Sequence, residues 1–395
     1  MVELWLIAAP LDQASLQAMK KLSSPISKAG LTHSFKFSVP ELKVGNLDLL
    51  LTVSEELAQL DSLAARLIHN MSLWILELMD PDRDKNATAN GELKTHKKNA
   101  QSLGKEYLKA LLADFVGYAT CFQWDRAKYP NMLPLSSLTE IFTKQLLQTE
   151  ADFKSRNTAY NNLQDSLEVL AGKKDASLVT RALFDVVKEE DFVLDSEYLT
   201  TLLVVVLKRD YAQWEKTYES LSEFVVPRTS RRVLDEPEGG IFTVTLFKRA
   251  VSDFKARAAK NRFTVRNFSF EESRKQRKEM MSLKIQKKEI SGMFVGWLKA
   301  QTRETFMVWI HLKALRLFVE SVLRFGLPVN FKALLLQPEK KNSKKLRELL
   351  STLFSHLDTA PAAGDPSEGM DIPSMSSQEY YPYICFKVDI NLMES

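Results

Sequence analysis

The chain has 395 residues, of which 45% are hydrophobic and 26% charged, with a net charge of +4 and a pI near 8.7. Length alone predicts two or three domains, and the composition excludes a disordered or fibrous chain. So mild a basic balance does not by itself point to a nucleic-acid binder, which would want a concentrated basic face.

The two cysteines, Cys121 and Cys385, lie in apolar, aromatic-rich segments and are expected to be small buried hydrophobes in a reducing cytosol. The apolar runs at the start and at Leu199–Leu207 fall short of the roughly 20 residues that span a bilayer. The start also lacks the basic region of a signal peptide, so a cytosolic protein is expected. On that basis the sequon at Asn86-Ala87-Thr88 reads as a chance match.

In chain order, Glu3–Ala8 reads as a strand, Asp12–Lys28 as a helix and the alternating His33–Val39 as a second strand. Ser54 is expected to cap a long helix whose Leu57, Leu60, Leu63, Leu67, Met71, Trp74 and Leu78 form one buried face; His69 beside it reads as structural. Asp80–Gly104 is polar and glycine-punctuated, as in a surface loop or insert. A short helix at Lys105–Leu112 and a strand at Gly117–Trp124 are expected next. Ser137 and Glu140 make a capping box, opening a helix whose apolar positions from Phe142 to Leu170 alternate four and three apart, the pattern of a coiled-coil seam.

Ser177–Phe268 reads as an α+β domain inserted into another. It comprises a helix at Leu178–Lys188, a doubly buried strand at Leu199–Leu207 and a helix at Tyr211–Leu221. Strands at Phe224–Val226 and Ile241–Phe247 flank a polar loop, Arg228–Gly240; a helix at Lys248–Lys260 and a strand at Phe263–Phe268 close the domain. No proline interrupts the chain between Pro237 and Pro328, and Ser269–Phe325 is expected to be helical throughout. Its first part carries a thin apolar line through Met280, Leu283 and Ile290, the natural partner of the earlier seam; the two would form an antiparallel neck. Its second part has a broad apolar face from Phe294 to Phe325, with Lys313, Arg316, Glu320 and Arg324 on the other side. Gly292 and Gly296 mark where the environment changes, and Gly326 with Pro328 stops the helix. An amphipathic helix at Lys344–Leu357, a linker at Thr359–Ser377 and a core strand within Glu379–Leu392 follow. That last strand needs a sheet, and the N-terminal strands are the place for it.

Catalytic signatures are missing from this order. There is no P-loop, GxGxxG, GxSxG or HExxH, and no cysteine pair, so neither cofactor nor metal is expected. The acidic run Glu189, Glu190, Asp191, Asp195 and Glu197 reads as a solvated cluster, and Cys121 lacks an activating basic pocket. The basic cluster Lys340, Lys341, Lys344, Lys345 and Arg347 suits a helix start, or an acidic partner or anionic lipid surface. A strut or adaptor is the class left standing.

FQWDRAKYP (Phe122–Pro130), DFVLDSEYLTTLLVVV (Asp191–Val206), WIHLKALRLFVESVLRFGLPVNF (Trp309–Phe331) and QEYYPYICFKVDINL (Gln378–Leu392) closely resemble the C subunit of the vacuolar-type proton ATPase (V-ATPase) in its animal form. The resemblance covers nearly the whole chain and departs at Asp80–Gly104. It implies a helix-rich α+β dumbbell: a foot from 1–135 and 293–395, neck helices at 136–171 and 269–292, and a head at 172–268. It further implies a non-catalytic component of the rotary pump's stalk, regulating reversible assembly. The head would grip a heterodimer of the E and G subunits; the foot would meet a second such stalk and the cytosolic domain of the membrane sector's a subunit, with actin filaments as a further partner. A releasable strut should use several moderate polar contacts, so Arg231 and Arg232 in the head and Lys340, Lys341, Lys344 and Lys345 in the foot are expected to face acidic surfaces. The competing class is a free-standing cytoskeletal or membrane-surface adaptor.

Overall fold

The computed structural model describes residues 2–23, 32–79, 103–172, 177–178, 183, 187–194, 196–339, 342–357 and 381–392. The strands are β1 (Val2–Pro10), β2 (Thr32–Phe37), β3 (Leu199–Leu207), β4 (Arg231–Asp235), β5 (Gly239–Phe247), β6 (Thr264–Arg266), β7 (Phe331–Pro338) and β8 (Ile384–Ile390). The helices are α1 (Gln13–Ser23), α2 (Leu47–Met79), α3 (Leu103–Thr120), α4 (Leu135–Gly172), α5 (Tyr211–Thr217), α6 (Val251–Lys260), α7 (Phe270–Phe325) and α8 (Ser343–Leu353). The fold is of mixed helix and sheet, as an α+β class requires. It divides into two compact units, one of 1–155 with 293–395 and one of 156–292.

The first unit is built on an antiparallel sheet in the order β2-β7-β1-β8. Leu4 to Ala9 of β1 are each no more than 1% exposed, so this strand is covered on both faces. Trp5, Ile7 and Ala9 face α1 and α8 through Met19, Leu22, Leu346, Leu350 and Phe354. Period-two alternation turns Leu4, Leu6 and Ala8 the other way. On that side α7 reaches the sheet: Lys313 Nζ donates to the Lys387 carbonyl at 3.0 Å, and the Arg316 guanidinium lies 4.5 Å from the Phe386 ring centre. The C-terminal strand thus joins the N-terminal sheet, with Ile7 opposite Cys385.

The second unit carries the sheet β4-β5-β3-β6. Its central strand β3 is doubly buried, as its apolar run demands. Val204 and Val206 pack with Trp214, Phe242, Phe254 and Phe263, while Leu203 and Val205 pack with Leu178, Leu183, Val187 and Ile241. Gly239 and Gly240 open β5 where neighbours leave no room: a Cβ on Gly239 would lie 2.5 Å from the Val206 carbonyl oxygen, and one on Gly240 2.6 Å from that of Leu234.

Several sequence expectations are corrected. No element is expected at Phe331–Pro338, yet this is β7, an inner strand of its sheet. Its Lys-Ala-Leu-Leu-Leu content favours helix intrinsically, and pairing on both edges overrides that preference. Gly117–Trp124 is not a strand, because α3 runs on to Thr120 and buries Leu108, Leu111, Phe115 and Ala119 on one face. The polar loop Arg228–Gly240 contains β4, whereas Phe224–Val226 forms only an isolated bridge from Val225 to Leu246. Ser54 lies inside α2, donating to Glu320 Oε1 at 2.5 Å, and Ser137 lies inside α4, which starts after Pro134. Cys121 is exposed; Cys385 is half-buried, and burial raises its thiol pKa to about 11. Helix α7 is continuous through Gly292 and Gly296 and ends at Gly326, whose φ of +77° and N–H bond to the Val322 carbonyl (2.9 Å) suit a glycine C-terminal cap. The expected insert at Asp80–Gly104 falls outside the described residues except for Leu103 and Gly104, and the linker Thr359–Ser377 and most of the helix Leu178–Lys188 lie outside them as well.

Candidate interaction surfaces

Two of the motifs that carry the family resemblance, 122–130 and 309–331, meet in space. Phe122, Trp124 and Tyr129, from the loop between α3 and α4, close around His311 of α7 with ring centres 5.0, 5.2 and 4.8 Å away. His311 Nδ1 lies 2.8 Å from the Met307 carbonyl and Nε2 accepts the Asp125 N–H at 3.0 Å. That pair of bonds fits a neutral imidazole with its proton on Nδ1, and burial holds the pKa below its ordinary value. Trp124 Nε1 donates to the Tyr129 carbonyl at 2.8 Å, Tyr129 Oη donates to Gln145 at 3.0 Å, and Lys128 pairs with Glu304. With no unpaired ring nitrogen to offer, His311 fastens the loop to α7.

A second cluster was missed by helical periodicity. Lys313 and Arg316, expected on the outer face of α7, converge on Asp61 of α2 at 2.9 and 2.7 Å, both on Oδ2. Trp309 Nε1 donates to Asp61 Oδ1 at 2.6 Å. Lys313 is only 5% exposed, and desolvation pulls its pKa down against the opposing pull of Asp61. One carboxylate answering two cations and an indole is a fastening between α2, α7 and β8. The only available hint was an acid, Asp61, on the Leu57–Leu60–Ala64 face of α2.

The expected partner-facing residues fare unequally. Arg231 and Arg232 lie on β4, an edge strand of its sheet, and both are exposed. Arg232 is engaged: Nη1 is 3.2 Å from Asp235 Oδ2, and its guanidinium sits 6.0 Å from the Tyr211 ring centre. Tyr211 Oη donates to Asp235 Oδ1 at 2.9 Å; burial and this bond raise the phenol pKa to about 12. Arg231 makes no ion pair among the described residues. Lys344 and Lys345 are exposed in the first turn of α8, which holds no acid. Cations there oppose the helix dipole at a cost of about 0.3–1 kcal/mol each, so fold stability does not explain them. Lys340 and Lys341 lie outside the described residues. Arg347 faces inward, its guanidinium 5.7 Å from the Trp5 ring centre. A cleft of about 560 Å³ beside this helix start is lined by Val2, Glu3, His33, Gln337, Pro338, Glu339 and Ser343.

Among the described residues no cluster of His, Cys, Asp and Glu has a metal-binding arrangement, and no helix is long and apolar enough to cross a membrane. Of the acidic run, Glu189 pairs with Arg274, and Asp195 lies outside the described residues.

Comparison with known proteins agrees with the motif convergence. Residues 4–384 match the family model for the V-ATPase C subunit. The chain is 47% identical over 402 residues to the 1-B form of the V-type proton ATPase C subunit of Danio rerio, and 45% identical over 399 residues to form 1 of the same component in Mus musculus. It is 41% identical over 445 residues to form 2 in Homo sapiens. All of each chain is covered in these three comparisons. Among solved structures, the cytoplasmic N-terminal domain of the V-ATPase I subunit, a homolog of the a subunit, overlaps 89% of this chain and 98% of its own at a TM-score of 0.26 and 12% identity, too loosely to bear on the fold. With the family model matched over residues 4–384 and relatives 41–47% identical along their whole length, the chain belongs to the family of V-ATPase C subunits.

Proposed function

We propose that this chain is a non-catalytic, peripheral-stalk and regulatory subunit of the vacuolar-type proton pump, linking stalks to the membrane sector from its cytosolic face. The observation that carries the reading is the family match over residues 4–384. In this reading 172–268 forms the head, within the unit 156–292, and 1–135 with 293–395 forms the foot, within the other unit. Residues 136–171, in α4, and 269–292, largely in α7, make a coiled-coil neck in a dumbbell. The E and G subunits bind the head, a second E–G stalk and the a subunit meet the foot, and actin filaments are a further partner. Arg231 and Arg232 on the head, and Lys340, Lys341, Lys344 and Lys345 on the foot, face acidic partner surfaces. The dipole-opposed Lys344 and Lys345 support that role for the foot.

Titration of purified E–G heterodimer against the full chain tests this. Saturable binding that weakens with salt is expected, with Arg231→Glu lowering affinity by about tenfold and Lys344→Glu/Lys345→Glu weakening the contacts of the foot. Affinity and salt slope unchanged in both variants would remove these residues from the interfaces. Absence of E–G binding by the folded chain would favour a free-standing adaptor, which actin co-sedimentation would then examine.

A further inference from the structure

The N-terminal part of α7 carries two faces of different character. One is packed: Met280 is 7% exposed, Leu283 and Ile290 are half-buried, and Lys287 Nζ lies 5.7 Å from the ring centre of Tyr160 on α4. At 100° per residue the opposite face between Arg274 and Gly292, within about 60° of Met281, holds Arg274, Arg277, Lys278, Met281, Lys284, Ile285, Lys288 and Gly292. Each of these residues is exposed, Met281 by 62% and Ile285 by 51%. The face contains five cations and no acid, while Glu271, Glu272, Glu279 and Glu289 fall outside it. Arg274 pairs with Glu189. Lys278, Lys284 and Lys288 make no ion pair among the described residues.

The spacing is as informative as the charge. Lys278, Met281, Ile285, Lys288 and Gly292 follow one another at three, four, three and four residues, the alternation of a heptad seam. Two apolar side chains stand in the middle with a lysine on either side. At the C-terminal end a Cβ built on Gly292 finds no atom within 4 Å, so another backbone has room to approach. A lipid surface wants a wider apolar face with aromatic or leucine side chains, and this one offers only a methionine and an isoleucine.

We propose that Lys278–Gly292 of α7 docks an α-helix of a partner protein. That helix has apolar residues at the middle of its seam and Asp or Glu at the positions facing Lys278, Lys284 and Lys288. The seam supplies register, and the one-signed charge selects an acidic partner over a basic one. The proposal does not depend on the stalk assignment.

The test uses the full chain and two synthetic four-heptad helical peptides, with leucine seams flanked by glutamate in one and by lysine in the other. Binding is read by fluorescence anisotropy at low and high salt. The glutamate peptide is expected to bind saturably and the lysine peptide not to bind. Lys278→Glu/Lys284→Glu/Lys288→Glu should weaken the glutamate peptide by at least about tenfold and admit the lysine peptide. Met281→Ser/Ile285→Ser should weaken binding by a similar factor with the charge intact. All five side chains are exposed, so thermal unfolding should be unchanged in both variants. Equal binding of both peptides, an affinity indifferent to the triple reversal, or binding only to phosphatidylserine vesicles would each overturn the proposal.

Discussion

At the scale of single residues, Asp61 and His311 show how a buried polar group is made tolerable. Asp61 takes three donors, and removing its charge leaves Lys313 buried against a weaker partner. We expect Asp61→Asn to cost about 3–5 kcal/mol in urea unfolding, because an uncompensated buried cation is left behind. Lys313→Met should cost clearly less, since Asp61 keeps Arg316 and Trp309. Equal losses would show that the lysine contributes more than its charge. His311 makes an opposite demand on pH. Its folded pKa lies below the ordinary value of 6.5, so the unfolded chain binds more protons as the pH falls through that value. Stability should therefore drop on acidification from pH 7 and level off below the folded pKa; above pH 7 both states are neutral and the contribution is flat. His311→Gln can still accept the Asp125 N–H. The Tm difference between the two proteins should shrink as pH falls from 7.5 to 5.5, and a constant difference would acquit His311.

At the scale of elements, the close approach of β5 to its neighbours decides where β4 can lie. The ladder between β4 and β5 shifts register between Arg232 and Leu234 beside Gly240, whose missing side chain leaves room for the Tyr211 hydroxyl and the Leu234 carbonyl. Gly240→Ala is expected to cost about 2 kcal/mol, as overpacking against backbone does, and to loosen β4, seen as faster amide exchange at Arg231–Asp235. Gly296 is the contrasting case. It is an exposed helix interior residue with no atom within 4 Å of a built Cβ. Gly296→Ala should raise stability by about 0.5–1 kcal/mol through helix propensity; a loss would reveal that the glycine serves a bend. α7 was legible as a long helix because no proline interrupts it and its apolar face recurs at helical spacing. α3 was legible only in its first half, since the aromatic residues after it imitate a strand while serving the His311 cluster.

For the whole molecule, β8 matters beyond its length. It pairs with β1 along seven residues, supplies the carbonyl that accepts from Lys313, and buries Ile384, Val388 and Ile390. Each unit has its own core, so calorimetry of the full chain should show two transitions. Ending the chain after residue 380 should abolish the transition of the unit built from 1–155 and 293–395, and keep that of 156–292. Survival of both would mean that β8 is dispensable to the sheet.

The sequence by itself determined the helical faces, the doubly buried β3 and the return of the last strand to the first sheet. Each of these is written as apolar spacing within one short segment, which local chemistry can express. It also carried the family, because the matched motifs are long. Tertiary structure alone decided that Phe331–Pro338 is a strand, that Arg231 and Arg232 lie on a sheet edge, and that Lys313 faces inward. In the last case the deciding partner, Asp61, is 252 residues away. Periodicity identifies the apolar positions of a helix, but the burial of a charge depends on which opposite charge the fold brings to meet it.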